Sequence, residues 1–259
     1  MKLGQITSYI DVAQVTLYVF WVFFACLVYY LRREDRREGY PLMIDPTNQL
    51  KNPKDILIPT PKTFLLQHGG GSVKVPNGKH DARDPKAKKI GGWPGAPYEP
   101  VGDPMLAEVG PGAYAERADK PDLSHDGKPK IVPLRGATTY KVDSRDPDPR
   151  GMTVVGGDKA TAGVVTDLWV DRSEALIRYL EVEITGTPES NKVLLPMNFA
   201  KVNKTRGVIE VYALFVEHFA NVPRLASPDT VTLLEEDKIC AYYGAGTLYA
   251  HPGRSEPLL

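Results

Sequence analysis

The sequence has little from which to build a disulfide framework or a thiolate metal site: its 259 residues include two cysteines, Cys26 and Cys240. It has no surplus of either charge. Lys and Arg number 32, Asp and Glu also 32, and the missing basic excess argues against a nucleic-acid binder. Phosphate loops ending in Gly-Lys-Ser/Thr and G-x-G-x-x-G fingerprints are absent. So are H-E-x-x-H and G-x-S-x-G. His68-Gly69-Gly70-Gly71 has the composition of a hydrolase oxyanion loop, but without a nucleophile elbow it reads as a glycine-rich turn. The histidines (His68, His80, His125, His218 and His251) are scattered, with no pair at helical metal-binding spacing. No internal repeat is present.

What the chain does contain is unevenly distributed. Residues 1–31 carry only Lys2 and Asp11 as charged side chains, so 31 charges of each sign fall in 32–259. Val12 to Leu31 is a 20-residue run without charge, Pro or Gly. At about 1.5 Å per residue it spans roughly 30 Å, the thickness of a bilayer core. Tyr29 and Tyr30 close it where amphipathic rings favour the headgroup boundary. A cleaved signal peptide requires a basic start, a shorter apolar stretch and a small-residue cleavage site, none of which fits. A single transmembrane helix over 12–31 is expected. Arg32, Arg33, Arg36 and Arg37 crowd its C-terminal end. The positive-inside rule then makes 1–11 a short periplasmic N-terminus and the remainder cytoplasmic. A reducing cytoplasm fits a free Cys240.

Gly and Pro number 23 each, together about 18% against about 12% in average usage. Most of the prolines fall in 40–150, as in Pro59-Thr60-Pro61 and Asp146-Pro147-Asp148-Pro149. Such a segment is either disordered or ordered by another surface, and its nearness to the membrane favours the second. Short strands are predicted at Thr63–Leu66 and Ser72–Val75. From about 151 the pattern changes to period-two alternation. Val164, Thr166 and Leu168 alternate with Val165, Asp167 and Trp169; Leu180, Val182 and Ile184 form the apolar face opposite Tyr179, Glu181 and Glu183. Strands at Lys192–Pro196 and Val208–Ala213, with a turn at 203–207, complete a small antiparallel barrel or sandwich. Thr232 and Glu235 have capping-box spacing before a helix over Asp237–Tyr243, stopped by Gly244 and Gly246. Asp171, Glu174 and Arg178 form a charged group between two strands. From the residues alone, a solvated loop with a surface ion pair is the favoured reading. His125 beside Asp126 is the one local pair suited to proton exchange near neutral pH.

A resemblance sharpens this. The stretch from Tyr29 to Leu42 (YYLRREDRREGYPL) resembles the membrane exit of the H subunit of the purple-bacterial photosynthetic reaction centre. So do PKTFLLQHGGG (61–71), Gly102-Asp103-Pro104-Met105, KIVPLR (130–135), DPDPRGMTVVG (146–156), TDLWVDRSE (166–174), RYLEVE (178–183), FANVP (219–223) and VTLLEEDKICAYY (231–243). These blocks keep the family's order across nearly the whole chain. The resemblance implies one N-terminal transmembrane helix and a mainly β cytoplasmic domain, 151–259, with a PRC-barrel at 151–215 and a C-terminal helix. It also implies that 32–150 packs on partner subunits. The subunit would be a non-enzymatic cap on the quinone side of the L and M subunits, in the bacterial inner (intracytoplasmic) membrane. Bacteriochlorophyll, bacteriopheophytin, quinones, non-haem iron and carotenoid would sit in those partners, and none in this chain. A cytochrome subunit, an antenna ring and anionic lipids are further implied partners.

The resemblance also implies a proton path to the secondary quinone. Glu174 matches the family's buried acid, with Asp171 and Arg178 around it; Glu236, Arg117, Asp119, Asp122 and Lys130 match other polar groups of the route. Some members carry an Asp and two His near the surface that take up protons and bind divalent metals. The matching positions here are Ser124, Asp126 and Lys128, with His125 displaced by one. No metal site is therefore assigned, and Asp126 and His125 stand as the uptake candidates. Tyr30, Arg32, Arg33 and Tyr40 are placed for anionic headgroups or for plain interfacial anchoring. The competing reading is a membrane-anchored adaptor that uses the barrel to bind a cytoplasmic protein; a tethered hydrolase is more distant.

Overall fold

A computed structural model describes the chain except residues 1–3, 5, 8, 45–48, 52–54, 80, 82, 187–190 and 255–259, so Lys2 and His80 lie outside the described residues. The chain divides into two compact units, residues 1–82 with 91–96, and residues 83–90 with 97–259.

In the first unit α1 spans Val12–Glu34. The Asp11 carboxylate accepts the Gln14 N–H at 2.7 Å and caps the helix start. Arg32 and Arg33 carry it past the apolar run, because cations suit the negative end of the helix dipole. None of its residues is buried within the chain. A helix this apolar with no protein cover has lipid or another subunit as its solvent. Just beyond it, Arg37 makes two 2.7 Å bonds to the Glu34 carboxylate and donates to the carbonyls of Thr60 and Val75 at 3.1 Å. This one guanidinium ties the helix exit to the chain that follows. Two antiparallel ribbons complete the unit: β1 (Met43–Ile44) with β2 (Gln49–Leu50), and β3 (Lys62–Leu65) with β4 (Ser72–Val75). The turn between β3 and β4 has left-handed backbone at His68, Gly69 and Gly71, as the glycine-rich run predicts.

The second unit opens with a ribbon of β5 (Ala87–Lys89) and β6 (Tyr98–Pro100). Its main sheet contains β7 (Ile131–Pro133), β8 (Thr153–Gly156), β9 (Thr161–Asp171), β10 (Leu176–Ile184), β11 (Lys192–Pro196), β12 (Lys201–Asn203) and β13 (Val208–Val211). The order is β11-β10-β9-β8-β13-β12, with β7 also paired to β9. The sheet is not purely antiparallel as expected: β13 runs parallel to β8, Val208 opposite Thr153 through Val211 opposite Gly156. Strands joined by a tight turn must be antiparallel, but these two are separated by four intervening strands, which frees their direction. Trp169, Leu168, Leu180, Val182, Leu195 and Ile209 form the heart of the core.

Helix α2 covers Leu233–Tyr249. Its capping box is as expected, the Thr232 hydroxyl accepting from Glu235 N–H and the Glu235 carboxylate accepting from Thr232 N–H. Its end is not: Gly244 and Gly246 lie inside the helix rather than stopping it. A Cβ on Gly244 would sit 2.6 Å from the Pro111 carbonyl oxygen, and one on Gly246 would sit 2.5 Å from that of Ala213. These glycines admit neighbouring backbone against the helix, a tertiary demand that local propensity does not reveal.

Candidate functional site

The site is built where β9 ends. Asp171 is the last residue of β9, and its side chain is fully buried. Burial opposes ionisation of its carboxyl. Two backbone N–H donors, Glu174 (3.1 Å) and Ser173 (2.9 Å), together with the charge of Lys130 and a bond from Arg178, outweigh that and hold it below the usual carboxylate range. Lys130 stands 3.4 Å from Asp171 because β7, which follows it, pairs Ile131 with Asp171. Arg178 arrives by a β-bulge. Ile177 pairs with Val170 and Tyr179 with Trp169, leaving Arg178 unpaired between them and turned back to Asp171 at 3.3 Å. Asp171 thus sits between two cations, which the solvated-loop reading does not allow.

A cavity of about 620 Å³ opens beside this cluster. Of the residues picked from sequence, Arg117, Asp122, Lys130, Asp171, Arg178 and Glu236 line it. Glu174 joins through Lys130 (3.8 Å) and Arg178 (3.3 Å), but its side chain is 49% exposed within this chain, so the buried acid is Asp171. Asp119 is outside the lining, accepting from the Thr232 hydroxyl at 2.7 Å. Asp126 and His125 lie on the hairpin before β7, also outside it; His125 is exposed. At the helix exit Arg32 pairs with Asp35 at 3.7 Å, Arg33 lies over the Tyr29 ring, and Arg36 over the ring of Tyr40. Tyr30 is half exposed.

On the far wall Glu236, in the first turn of α2, accepts the Tyr179 hydroxyl at 2.8 Å. Burial pushes the Glu236 carboxyl above its ordinary range, against the opposing Tyr179 bond and Arg117 charge. Burial likewise raises the Tyr179 phenol and the Cys240 thiol. Tyr179 and Cys240 are site residues that sequence reasoning missed, since both reach the cavity through strand and helix packing that leaves no local signal. The arrangement can store a proton at Glu236 and stabilise a moving positive charge at Asp171. Among the described residues no group of three His, Cys, Asp or Glu is placed to hold a metal.

Sequence reasoning also missed Glu181. Assigned to a polar face, its side chain is 5% exposed and wholly bonded: Arg135 at 2.8 Å, Lys192 at 2.7 Å, the Thr166 hydroxyl at 2.9 Å and the Trp169 indole N–H at 3.3 Å. Arg135 also binds Asp167 and Asp229, both at 2.9 Å.

Among the described residues one helix is long and apolar enough to cross a membrane, and joined to this sheet it defines the class, a membrane-anchored protein with a barrel-type β module. Residues 141–214 match the family model of the PRC-barrel domain. Residues 4–136, just over half the chain, match that of the photosynthetic reaction centre H-chain N-terminal region. The chain belongs to the photosynthetic reaction centre H-chain family and is an H subunit. The family is in general a non-catalytic structural subunit of a complex with L and M subunits.

Proposed function

We propose that this H subunit caps the cytoplasmic quinone side of the L and M subunits and passes protons to the secondary quinone through the cavity beside Asp171. The observation that carries the reading is convergence: six polar residues chosen from separate sequence blocks, between 117 and 236, line one cavity. The quinone, held by the partners, supplies the redox chemistry; this chain's residues move protons. Glu236, with its raised proton affinity, is the reservoir, and Asp171, held ionised, is the fixed negative charge that lowers the cost of a proton crossing the cavity. Glu174 is the group from which the proton leaves toward the partners, with Asp119 and His125 as outer members of the route.

Capping is supported by the first unit, whose β3–β4 ribbon exposes Phe64, Leu65, Leu66 and Val73. Phe64 and Val73 are cross-strand partners on one face and Leu65 stands on the other, and exposed apolar side chains of this kind mark an interaction surface. Residues 32–150 are read as chain laid on L and M, with the arginines after α1 on the cytoplasmic side of the inner membrane. Tyr30, Arg32, Arg33 and Tyr40 meet anionic headgroups there.

In the assembled complex, Glu236→Gln is expected to slow proton uptake coupled to double reduction of the secondary quinone by about tenfold or more, and Glu174→Gln to slow it too. Primary charge separation should stay fast in both. Wild-type uptake in both variants, followed by flash-induced indicator-dye absorbance, would remove the cavity from the path.

A further inference from the structure

Residues 122–130 form a closed hairpin. Leu123 bridges Pro129, Ser124 N–H donates to the Lys128 carbonyl at 2.9 Å, and Lys130 N–H donates to that of Asp122 at 2.8 Å. At its tip Asp126 accepts the Ser124 hydroxyl at 2.5 Å and the Lys128 N–H at 3.3 Å. Besides the β7–β9 pairing that follows it and the Lys130–Asp171 contact, the hairpin is held to the sheet by Arg172, directly after β9. The Arg172 guanidinium donates to the Asp126 carboxylate and to the Pro129 carbonyl, both at 2.9 Å, and its backbone N–H donates to the Lys130 carbonyl at 2.8 Å. Arg172 is itself fixed, its carbonyl accepting the Tyr140 hydroxyl at 2.8 Å. The hairpin ends at Lys130, the cation that faces Asp171.

We infer that Arg172 and Asp126 form a latch that positions Lys130 against Asp171, and that Asp126 is a structural anion rather than a proton acceptor. The inference deepens the proton-path reading and rests on it. Both Asp126 carboxylate oxygens are occupied by donors, the Ser124 hydroxyl and the Arg172 guanidinium first among them, which hold the group ionised far below neutral pH. A carboxylate so engaged has no proton to relay. What it does have is a rigid connection, through Arg172 and nine residues of hairpin, to the side chain that sets the charge at the buried acid.

The latch and the acceptor assignments give opposite signs for one substitution. If Asp126 takes up protons, Arg172→Gln frees its carboxylate and speeds uptake or leaves it unchanged. If Arg172 is a latch, Arg172→Gln slows uptake by about three- to tenfold, and the isosteric Asp126→Asn, which keeps the Arg172–Pro129 bond, slows it by as much or less. The double variant is then no slower than Arg172→Gln alone, because that substitution already breaks the contact Asp126→Asn removes. Arg172→Lys, which keeps a cation opposite Asp126, recovers part of the rate, and in a Lys130→Met background Arg172→Gln has no further effect. The measurement is flash-induced proton uptake in pigmented complexes of wild-type absorption spectrum. An Arg172→Gln complex as fast as wild type, multiplied effects in the double variant, or slowing that persists without Lys130 would overturn the latch. Asp171→Asn belongs in the same series: if it leaves uptake at the wild-type rate, the proton-path reading fails first and the latch with it.

Discussion

Strand β9 carries two acid–base clusters that look alike in composition and differ in construction. At Glu181 and Asp167 the ion pairs are short, 2.7 to 2.9 Å, and each acid oxygen has fixed donors, Arg135 foremost. At Asp171 and Glu174 the ion pairs are 3.3 to 3.8 Å long and stand at the edge of a 620 Å³ cavity. Cross-strand pairing sets Asp167 opposite Glu181, two like charges that only an inserted cation can reconcile, and Arg135 supplies it. The first cluster works as a staple between the turn after β7, strands β9, β10 and β11, and the loop at 228–229. Cavities of about 330 and 310 Å³ adjoin the first cluster, but the second cluster adjoins one about twice as large and its longer ion pairs leave more slack for a moving proton. Charge alone does not make a relay: both Asp171 oxygens are occupied, Oδ1 by two backbone N–H groups and Oδ2 by Lys130 and Arg178, and what sets this cluster apart is its longer ion pairs beside the larger cavity.

The comparison breaks most visibly if the staple is weakened. Glu181→Gln is expected to cost about 1–3 kcal/mol of stability, the lower end being favoured because Arg135 and Lys192 are 39% and 47% exposed and rehydrate. It should also change Trp169 emission, since the indole N–H donates to Glu181. Chemical denaturation followed by tryptophan fluorescence reads both, and an unchanged midpoint would mean the cluster is not a staple.

Titration sharpens the contrast between Glu181 and Glu236, the acid across the cavity from Asp171, because these two carboxyls respond to pH with opposite sign. Burial resists ionisation of Glu181, but its bonds to Lys192, Arg135 and Thr166 prevail and lower its pKa. The unfolded chain therefore binds that proton more readily, so the staple's contribution is complete above the ordinary glutamate value and fades as pH falls through the depressed one. Glu236 is raised, so the folded state binds its proton more readily. Its contribution is present at low pH and fades as pH rises from the ordinary value through the raised one. Because Gln mimics the protonated acid, midpoints in Glu181→Gln and Glu236→Gln should approach wild type at acid pH and part from it toward neutral pH in opposite directions, Glu181→Gln falling below and Glu236→Gln rising above. Parallel curves would contradict the assignment. The smallest effect belongs to Cys240→Ser: the Tyr179–Glu236 bond survives it, and uptake should stay within about twofold of wild type.

Much of this architecture was legible in the chain. The uncharged run from Val12, the alternation through Val164–Trp169 and Leu180–Ile184, the glycine turn at 68–71 and the capping box at Thr232 all correspond to observed elements. What escaped was set by contacts distant in sequence. Helix α2 continues through Gly244 and Gly246 because Pro111 and Ala213 press against them. Glu181 is buried because Arg135, 46 residues earlier, reaches it. The parallel β8–β13 pair has no local signature at all. For the site, the resemblance singled out the acids and cations, and the fold brought six of them together. It could not show that Asp171 rather than Glu174 is the buried acid within the chain, since that depends on the bulge that turns Arg178 inward.

The most direct test sets the two clusters side by side in the assembled complex: proton uptake after the second flash in Asp171→Asn and in Glu181→Gln, each with primary charge separation as control. The account requires uptake slowed by about tenfold or more in Asp171→Asn and near wild type in Glu181→Gln. Equal slowing in both, or slowing in Glu181→Gln alone, would contradict it.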